Sequence, residues 1–351
     1  MHVLVVGGGS AGHVLPAVPV IQACLARGDE VTFVGTRTGL EEDLVKDLPI
    51  TFYGISAGKL RRYFSWQNFT DVLRIGRGVI QSLALLRRVK PQVVFSKGGF
   101  VSFPVVVAAW LLRVPVVAHE SDLTPGLANR LITPFAARLC TSFPVQMDAS
   151  AKVVHTGTPL RDEILNGDVE RGRSFLGVSA EQPILLVTGG SLGAERLNEA
   201  VHAALEKLTV SFFVVHICGP GKTIAHADQN YLQLEYVREG WGDIIAAADL
   251  VVSRAGANAL FEWLALAKVH LLVPLSAAVS RGDQVENAQF AAKQGLSEVL
   301  AEEALTPEGL FNAVHALYTE RESYRSRMQE LALPDATTAI IEQLDAVARP
   351  A

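Results

Sequence analysis

A short apolar run that ends in a glycine bend and opens a helix occurs twice in this chain, at Val3 and again at Ile184. Val3-Leu-Val-Val-Gly-Gly-Gly-Ser-Ala-Gly-His and Ile184-Leu-Leu-Val-Thr-Gly-Gly-Ser-Leu-Gly-Ala both place aliphatic residues where a strand is covered on two faces, then glycines where the backbone must turn tightly. After the first copy, Pro16–Arg27 has helical spacing and Glu30–Val34, Gln92–Phe95 and Val114–Ala118 read as further strands. After the second copy come Phe212–Ile217, Leu250–Val252 and Val269–Val273. Buried strands alternating with helices predict an α/β chain of two Rossmann-like domains, their parallel sheets facing a cleft. A length of 351 residues suits two domains. The expected boundaries are 1–160 and 161–335, with 336–351 as a terminal helix. The turn-rich stretch Val153–Asp168 supplies the linker.

Composition narrows the classes further. Apolar residues make up 49% and charged residues 19%, so disorder is excluded. The greasiest stretch, Val101 to Val117, is broken by Pro104, Arg113 and Pro115, which argues against a spanning helix. Met1 leads straight into His2-Val-Leu-Val-Val with no basic leader region, so no secretory signal is expected. Cys24, Cys140 and Cys218 are scattered and read as buried thiols in a reducing cytosol.

Charge is unevenly spread. The net is −5, yet between Gly58 and Lys97 stand nine basic residues and one acid, Asp71. Tyr63, Phe64, Trp66, Phe69, Leu73, Ile80 and Leu86 interleave with Lys59, Arg61, Arg62, Arg74, Arg77, Arg87, Arg88 and Lys90. On composition alone, a helix that buries its apolar face and solvates its cations is the simpler reading. The alternative is a face for an anionic membrane surface. No nucleic-acid reader motif is present, and no nucleic-acid partner is expected.

Glycine bends that open helices bring the backbone near a ligand and present free N–H groups to phosphate or a developing anion. Gly7-x-Gly9-x-x-Gly12 formally matches the dinucleotide fingerprint, but Val31–Val34 runs into Gly35-Thr-Arg where an acid should meet a ribose. Cys218-Gly-Pro-Gly-Lys-Thr is no Walker loop, because His216 stands where its first glycine belongs. His119-Glu120 begins a zincin-like pair, but Leu123 occupies the second histidine's place. No metal and no cofactor are expected. Polar residues near strand ends remain as candidates: His13, Phe100, the His119-Glu-Ser-Asp122 run, Arg161, Ser191, Glu262, Gln284 and Asn287.

Their joint pattern resembles the MurG-type glycosyltransferases over nearly the whole chain. Gly8-Gly-Ser-Ala-Gly-His-Val-x-Pro, Lys97-Gly-Gly-Phe-Val-Ser-Phe-Pro and Pro115-Val-Val-Ala-His-Glu are similar to that family's first-domain motifs. Gly157-Thr-Pro-Leu-Arg161, Thr188-Gly-Gly-Ser-Leu-Gly-Ala, Ser253-Arg-Ala-Gly-Ala through Glu262, and Asp283-Gln-x-x-Asn-Ala follow in order. The resemblance implies a GT-B fold and inverting transfer of N-acetylglucosamine from UDP-N-acetylglucosamine to the 4-hydroxyl of undecaprenyl-linked muramoyl-pentapeptide, lipid I. It implies a peripheral enzyme on the cytoplasmic face of the bacterial membrane, which turns Arg74–Lys90, with Trp66 and Trp110, into a docking patch, and a final helix, 336–351, that packs back on the first domain.

Carried over by position, the resemblance implies that Glu262 meets the ribose hydroxyls and the backbone at Val237 meets the uracil. Ser191 and the helix beginning at Gly193 cradle the diphosphate with Arg161, while Gln284 and Asn287 hold sugar hydroxyls. Ser10, Ala11, Gly12, Phe100, Asp122, Ala257 and Asn258 complete the substrate contacts. His13 is the expected general base, with Asp122 or Glu120 as alternatives. Asp122 departs from the family's Asn, Phe100 from Tyr, Ser10 from Thr and Ala11 from Gly. Asn258, Ala259 and Phe261 stand for the usual Leu, Thr and Ser. The rival readings are a nonhydrolysing UDP-N-acetylglucosamine 2-epimerase and a catalytically silent donor-binding scaffold; a dehydrogenase is more distant.

Overall fold

The computed structural model describes residues 1–58, 67–144, 152–190 and 192–350. Lys59, Arg61, Arg62, Tyr63, Phe64, Trp66 and Ser191 lie outside the described residues. The chain divides into two compact units, Met1–Arg161 with Pro334–Ala351, and Asp162–Leu333.

The first unit carries seven strands: β1 (His2–Gly7), β2 (Glu30–Thr36), β3 (Thr51–Ile55), β4 (Val93–Gly98), β5 (Val116–Glu120), β6 (Arg138–Thr141) and β7 (Val153–His155). They form one parallel sheet in the order β3-β2-β1-β4-β5-β6-β7. Helices cover both faces, so alternate residues of each strand feed two cores. Leu4, Val6, Val94, Val116 and Ala118 pack with Leu85, Leu86, Val105 and Val106 on one face. Val3, Val5, Phe33, Phe95 and Val117 pack with Val20 and Ile21 on the other. The C-terminal helix Ala336–Val347 closes this second face with Ile340 and Leu344, both fully buried. Asp345 clamps Arg27 through a two-pronged ion pair at 2.6 and 2.8 Å.

The second unit repeats the plan with β8 (Ile184–Thr188), β9 (Phe213–Ile217), β10 (Tyr231–Leu234), β11 (Leu250–Ser253), β12 (His270–Leu272) and β13 (Glu298–Val299). These form a second parallel sheet, β10-β9-β8-β11-β12-β13. In each sheet the strand order reverses beside the strand that carries the glycine bend, at β1/β4 and at β8/β11. Ligands collect at such switch points, because loops from adjacent strands diverge to opposite faces there and leave a crevice.

The helix expected over Pro16–Arg27 is divided. Two single 3-10 turns, Ala11–His13 and Leu15–Ala17, precede a helix confined to Val18–Ala26. Pro16 and Pro19 lack the N–H that a regular helix interior needs, but both fit at the start of a turn.

The basic helix spans Gln67–Val89, burying part of its apolar surface and leaving part exposed. Ser82, Leu85 and Leu86 are buried inward, and Gly78 lies against Pro104 of the neighbouring helix Ser102–Leu111. Outward, Leu73 and Ile80 are 75% and 69% exposed beside Arg77 and Arg87. Trp110 and Leu111, at the end of the neighbouring helix, are also about half exposed. No helix among the described residues is long and apolar enough to cross a membrane.

Candidate active site

In the first unit, the loops after β1 and β4 meet through missing side chains. Gly9 has φ +89°, and a Cβ there would lie 2.5 Å from the Phe100 ring. Gly99 has φ +82°, and a Cβ there would lie 2.0 Å from the Gly8 carbonyl oxygen and 3.2 Å from the His13 ring. Only glycine admits both the conformation and the contact. His13 thus sits half-buried on the 3-10 turn above β1, its ring beside Gly99 and its N–H donating to Ser10 O at 3.1 Å. Ser10 and Gly12 are exposed, and Ala11 is half-buried between them. From behind, the fully buried Glu41 accepts from Gly9 N–H and from the Thr36 hydroxyl, both at 2.9 Å. That carboxylate fixes the bend, and neither composition nor motif singled it out.

Next along the sheet, the end of β5 gathers two carboxylates with different work. Glu120 is buried and accepts from the Asp122 N–H at 3.0 Å, the Gly126 N–H at 2.9 Å and Asn129 Nδ2 at 2.8 Å. With three donors on its oxygens, it is suited to holding the turn rather than exchanging a proton. Asp122 lies half-buried on that turn. Lys97, only 1% exposed at the end of β4, donates to the Ser121 hydroxyl. Burial pulls its ammonium down to about 8, against the opposing pull of Glu120 and Asp122. His119 is fully buried and its Nε2 donates to Gly157 O at 2.9 Å, a bond that favours the protonated ring but is outweighed. Burial first, and then the Lys97 charge, hold it well below the usual imidazole range. Since β1, β4 and β5 are adjacent, the loops bearing His13, Phe100 and Asp122 rise from strand ends spaced about 5 Å apart. Arg161 is half-buried where the first unit ends.

In the second unit, the bend after β8 turns through Gly193 at φ +68°, where a Cβ would lie 1.9 Å from Cys218 O. The helix Glu195–Leu208 follows, with no side chain capping its first N–H groups. After β11, the helix Ala257–Ala265 also begins without a side-chain cap. Leu260, Phe261, Trp263 and Leu264 of that helix are buried, as is Ala257. Asn258 and Glu262 remain half-buried, four residues apart and therefore on one face. Two uncapped helix starts at one switch point form a locus of positive potential suited to a diphosphate.

The loop beyond β12 is tied down from several sides. Gln284 Oε1 accepts from the Leu275 N–H at 3.0 Å. Asn287 is fully buried and donates to Ala255 O at 3.2 Å, shaping the loop that opens the Glu262 helix from beneath. Glu302 accepts from Arg254 and from the Ser276 N–H, and Ser276 in turn donates to Glu303. Arg254 lay inside a recognised motif, but no spacing signal could pair it with a carboxylate so far along the chain. Val237 is half-buried in the segment after β10. Among the described residues, no group of three or more His, Cys, Asp or Glu side chains could hold a metal ion.

Comparison with known proteins agrees with this geometry. The glycosyltransferase family 28 N-terminal domain matches residues 3–141, and its C-terminal domain matches residues 184–343. A protein of Legionella pneumophila (strain Paris), named UDP-N-acetylglucosamine--N-acetylmuramyl-(pentapeptide) pyrophosphoryl-undecaprenol N-acetylglucosamine transferase, is 44% identical over 340 residues, 95% of this chain and 94% of its own. Its namesake in Geobacillus thermodenitrificans (strain NG80-2) is also 44% identical, covering 99% of both chains. The crystal structure of Acinetobacter baumannii MurG superposes with a TM-score of 0.77 at 28% identity, over 98% of this chain and 99% of that one. The glycosyltransferase of kitacinnamycin gives 0.78 at 17% identity over 99% of each chain, a likeness of fold.

Proposed function

The chain belongs to glycosyltransferase family 28, and from that premise we propose that it transfers N-acetylglucosamine from UDP-N-acetylglucosamine to lipid I, giving lipid II for peptidoglycan. It is a nucleotide-sugar-dependent hexosyltransferase of cell-wall synthesis with the two-sheet GT-B fold. The observation that carries this reading is that both family domains match and each glycine bend lies at its own sheet's switch point. The defining experiment supplies labelled UDP-N-acetylglucosamine and a short-chain lipid I analogue. Labelled disaccharide product and one equivalent of UDP are expected; epimerised donor in the absence of acceptor would overturn the reading.

The chemistry is an inverting displacement. The acceptor 4-hydroxyl oxygen bonds to the sugar C1, the C1–oxygen bond to the diphosphate breaks, and the hydroxyl proton passes to a base. In our reading His13 takes that proton and Asp122 orients the acceptor as a carboxylate. Glu120 holds the turn between them and the rest of β5. Ser10, Ala11, Gly12 and Phe100 line the same loops. In the second unit, the uncapped helix starts stabilise the charge that develops on UDP, as a metal would elsewhere. Ala257, Asn258 and Glu262 present the donor-binding helix, Val237 lies in the segment assigned to uracil, and Gln284 supplies an amide for sugar hydroxyls. Glu262→Ala is expected to weaken UDP-N-acetylglucosamine binding roughly tenfold or more, the loss of a charged hydrogen bond of about 1.5–3 kcal/mol. Isothermal titration checks it, and unchanged affinity would remove Glu262 from the ribose.

An acceptor anchored by an undecaprenyl chain must be met at a membrane, and we place the enzyme peripherally on its cytoplasmic face. Exposed Leu73, Ile80, Trp110 and Leu111 beside Arg77 and Arg87 supply the apolar and cationic halves of an interfacial surface. Arg74 is paired with Asp71 at 3.2 Å, and Arg88 lies over the Tyr53 ring at 4.7 Å, so Arg77 and Arg87 are the better probes. Replacing both with Gln should reduce partition onto anionic vesicles about thirtyfold, at about 1 kcal/mol for each of the two basic residues near the surface. Transfer to a soluble acceptor should persist. Unchanged partition would reduce these cations to a solvated face.

A further inference from the structure

Lys97 is the one lysine of the described residues whose side chain is fully enclosed, and it ends a strand whose other residues are also buried. An ammonium withdrawn from water is retained only where compensating charge and hydrogen bonds surround it. Here its hydrogen bond goes to Ser121, the residue between Glu120 and Asp122. Those two acids are the charges that oppose its desolvation. Two carboxylates a single residue apart in a half-buried turn repel one another, and without a countercharge one of them takes up a proton or swings out to solvent.

We propose that Lys97 is a positioning residue for the acceptor half of the site: its enclosed ammonium pins the Ser121–Asp122 turn and supplies the countercharge under which Asp122 stands as a carboxylate. The proposal rests on the reading of Asp122 as an acceptor-orienting group. It also gives a reason for an acid at this position, since the lysine's charge at the end of β4 acts on the Asp122 carboxyl just beyond β5. The other ionisable groups facing this pocket do not replace Lys97. His119 is a neutral donor to Gly157 O, His13 lies across the Gly99 loop, and Glu41 is engaged beneath Gly9. The remaining neighbour, Glu120, is negative and adds to the need.

The test is direct titration of the Asp122 carboxyl by 13C NMR in the full chain, with the resonance assigned through Asp122→Asn. In Lys97→Met, which keeps the length of the side chain and removes its charge, the Asp122 midpoint should move up by about one pH unit. The KM for a soluble acceptor should rise about tenfold while the KM for UDP-N-acetylglucosamine stays put, the split expected of an acceptor-side group. A merely structural lysine would leave the Asp122 titration where it was, and that outcome overturns the proposal. Should Lys97→Met not fold, the wild-type curve decides: the Asp122 resonance should carry a second inflection near pH 8 as Lys97 loses its proton. Its absence overturns the proposal equally. Because the titration requires no turnover, a wild-type enzyme that failed to transfer sugar would sink the functional reading and leave this measurement standing.

Discussion

His13→Ala is expected to lower kcat for sugar transfer by about 10²–10⁴-fold while leaving UDP-N-acetylglucosamine affinity within about twofold. The asymmetry follows from where the residue is built. His13 rides on a 3-10 turn at the end of β1, whereas Glu262, assigned to the donor ribose, stands on a helix of the second unit. Loss of its ring leaves the Gly7–Gly9 bend intact, because Glu41 and the Gly99–Gly8 contact hold that bend without the imidazole. An imidazole is also the side chain whose ordinary titration range lies nearest neutrality, so it can accept a proton as the 4-hydroxyl attacks and release it afterwards. Single-turnover transfer to a soluble lipid I analogue separates this from product release. Two outcomes would reassign the base. Full turnover in His13→Ala removes it outright, and a larger loss in Asp122→Asn than in His13→Ala moves the proton to the carboxylate.

What could be read from the amino-acid order follows from how locally each feature is encoded. The strands beneath both glycine bends are aliphatic runs covered on two faces, so β1 and β8 are legible without any partner. Their neighbours at the sheet edges are not. β13 is only Glu298–Val299, and β7 is the three residues Val153–His155. Such segments become strands because a neighbour offers its free N–H and C=O groups, which composition does not carry. The switch points are a property of strand order, so their coincidence with the glycine bends emerged only in three dimensions. The same holds for charge. Lys97 stood inside a motif that was recognised for its glycines, and nothing in Ser-Lys-Gly-Gly reveals that the lysine is enclosed. Glu41, Arg254 and Glu302 act through partners distant in the chain, and Asn287, assigned to the sugar by position, lies wholly beneath the surface. Motif order located the loops; the charges that hold them required the fold.

A second large effect concerns acid. His119, His216 and His270 are all fully buried, and His216 and His270 each sit in a network that suits a neutral ring. His216 donates from Nε2 to Asn198 Oδ1 at 3.0 Å and accepts at Nδ1 from the Tyr231 hydroxyl at 2.9 Å. His270 donates from Nδ1 to Lys268 O at 2.6 Å and accepts at Nε2 from Ser297. Protonation would turn the accepting nitrogen into a second donor facing the atom that now donates to it. Burial, with a smaller push from His202, takes His216 down to about 3; burial takes His270 to about 4 against the Lys268 carbonyl. Between those values and the ordinary 6.5 the unfolded chain binds more protons than the native one, so stability is fully present above pH 6.5 and drains away below it. At about 1.4 kcal/mol per pH unit, each of these two rings costs roughly 2–3 kcal/mol by pH 4.5, a large fraction of a stability of about 5–15 kcal/mol. Carboxylates held low by their partners, such as Asp243 beside Arg171 and Asp345 beside Arg27, withdraw their contributions only below about pH 4. Loss of stability between pH 6.5 and 4.5 is therefore a histidine signature. It should be steeper in the second unit, which holds His216 and His270, than in the first, which holds His119. Urea midpoints followed from pH 7.5 to 4.5 should fall throughout that window, and His216→Gln or His270→Gln should each flatten the slope by about one proton. A flat wild-type profile over the same range would mean that these rings carry their protons inside the fold.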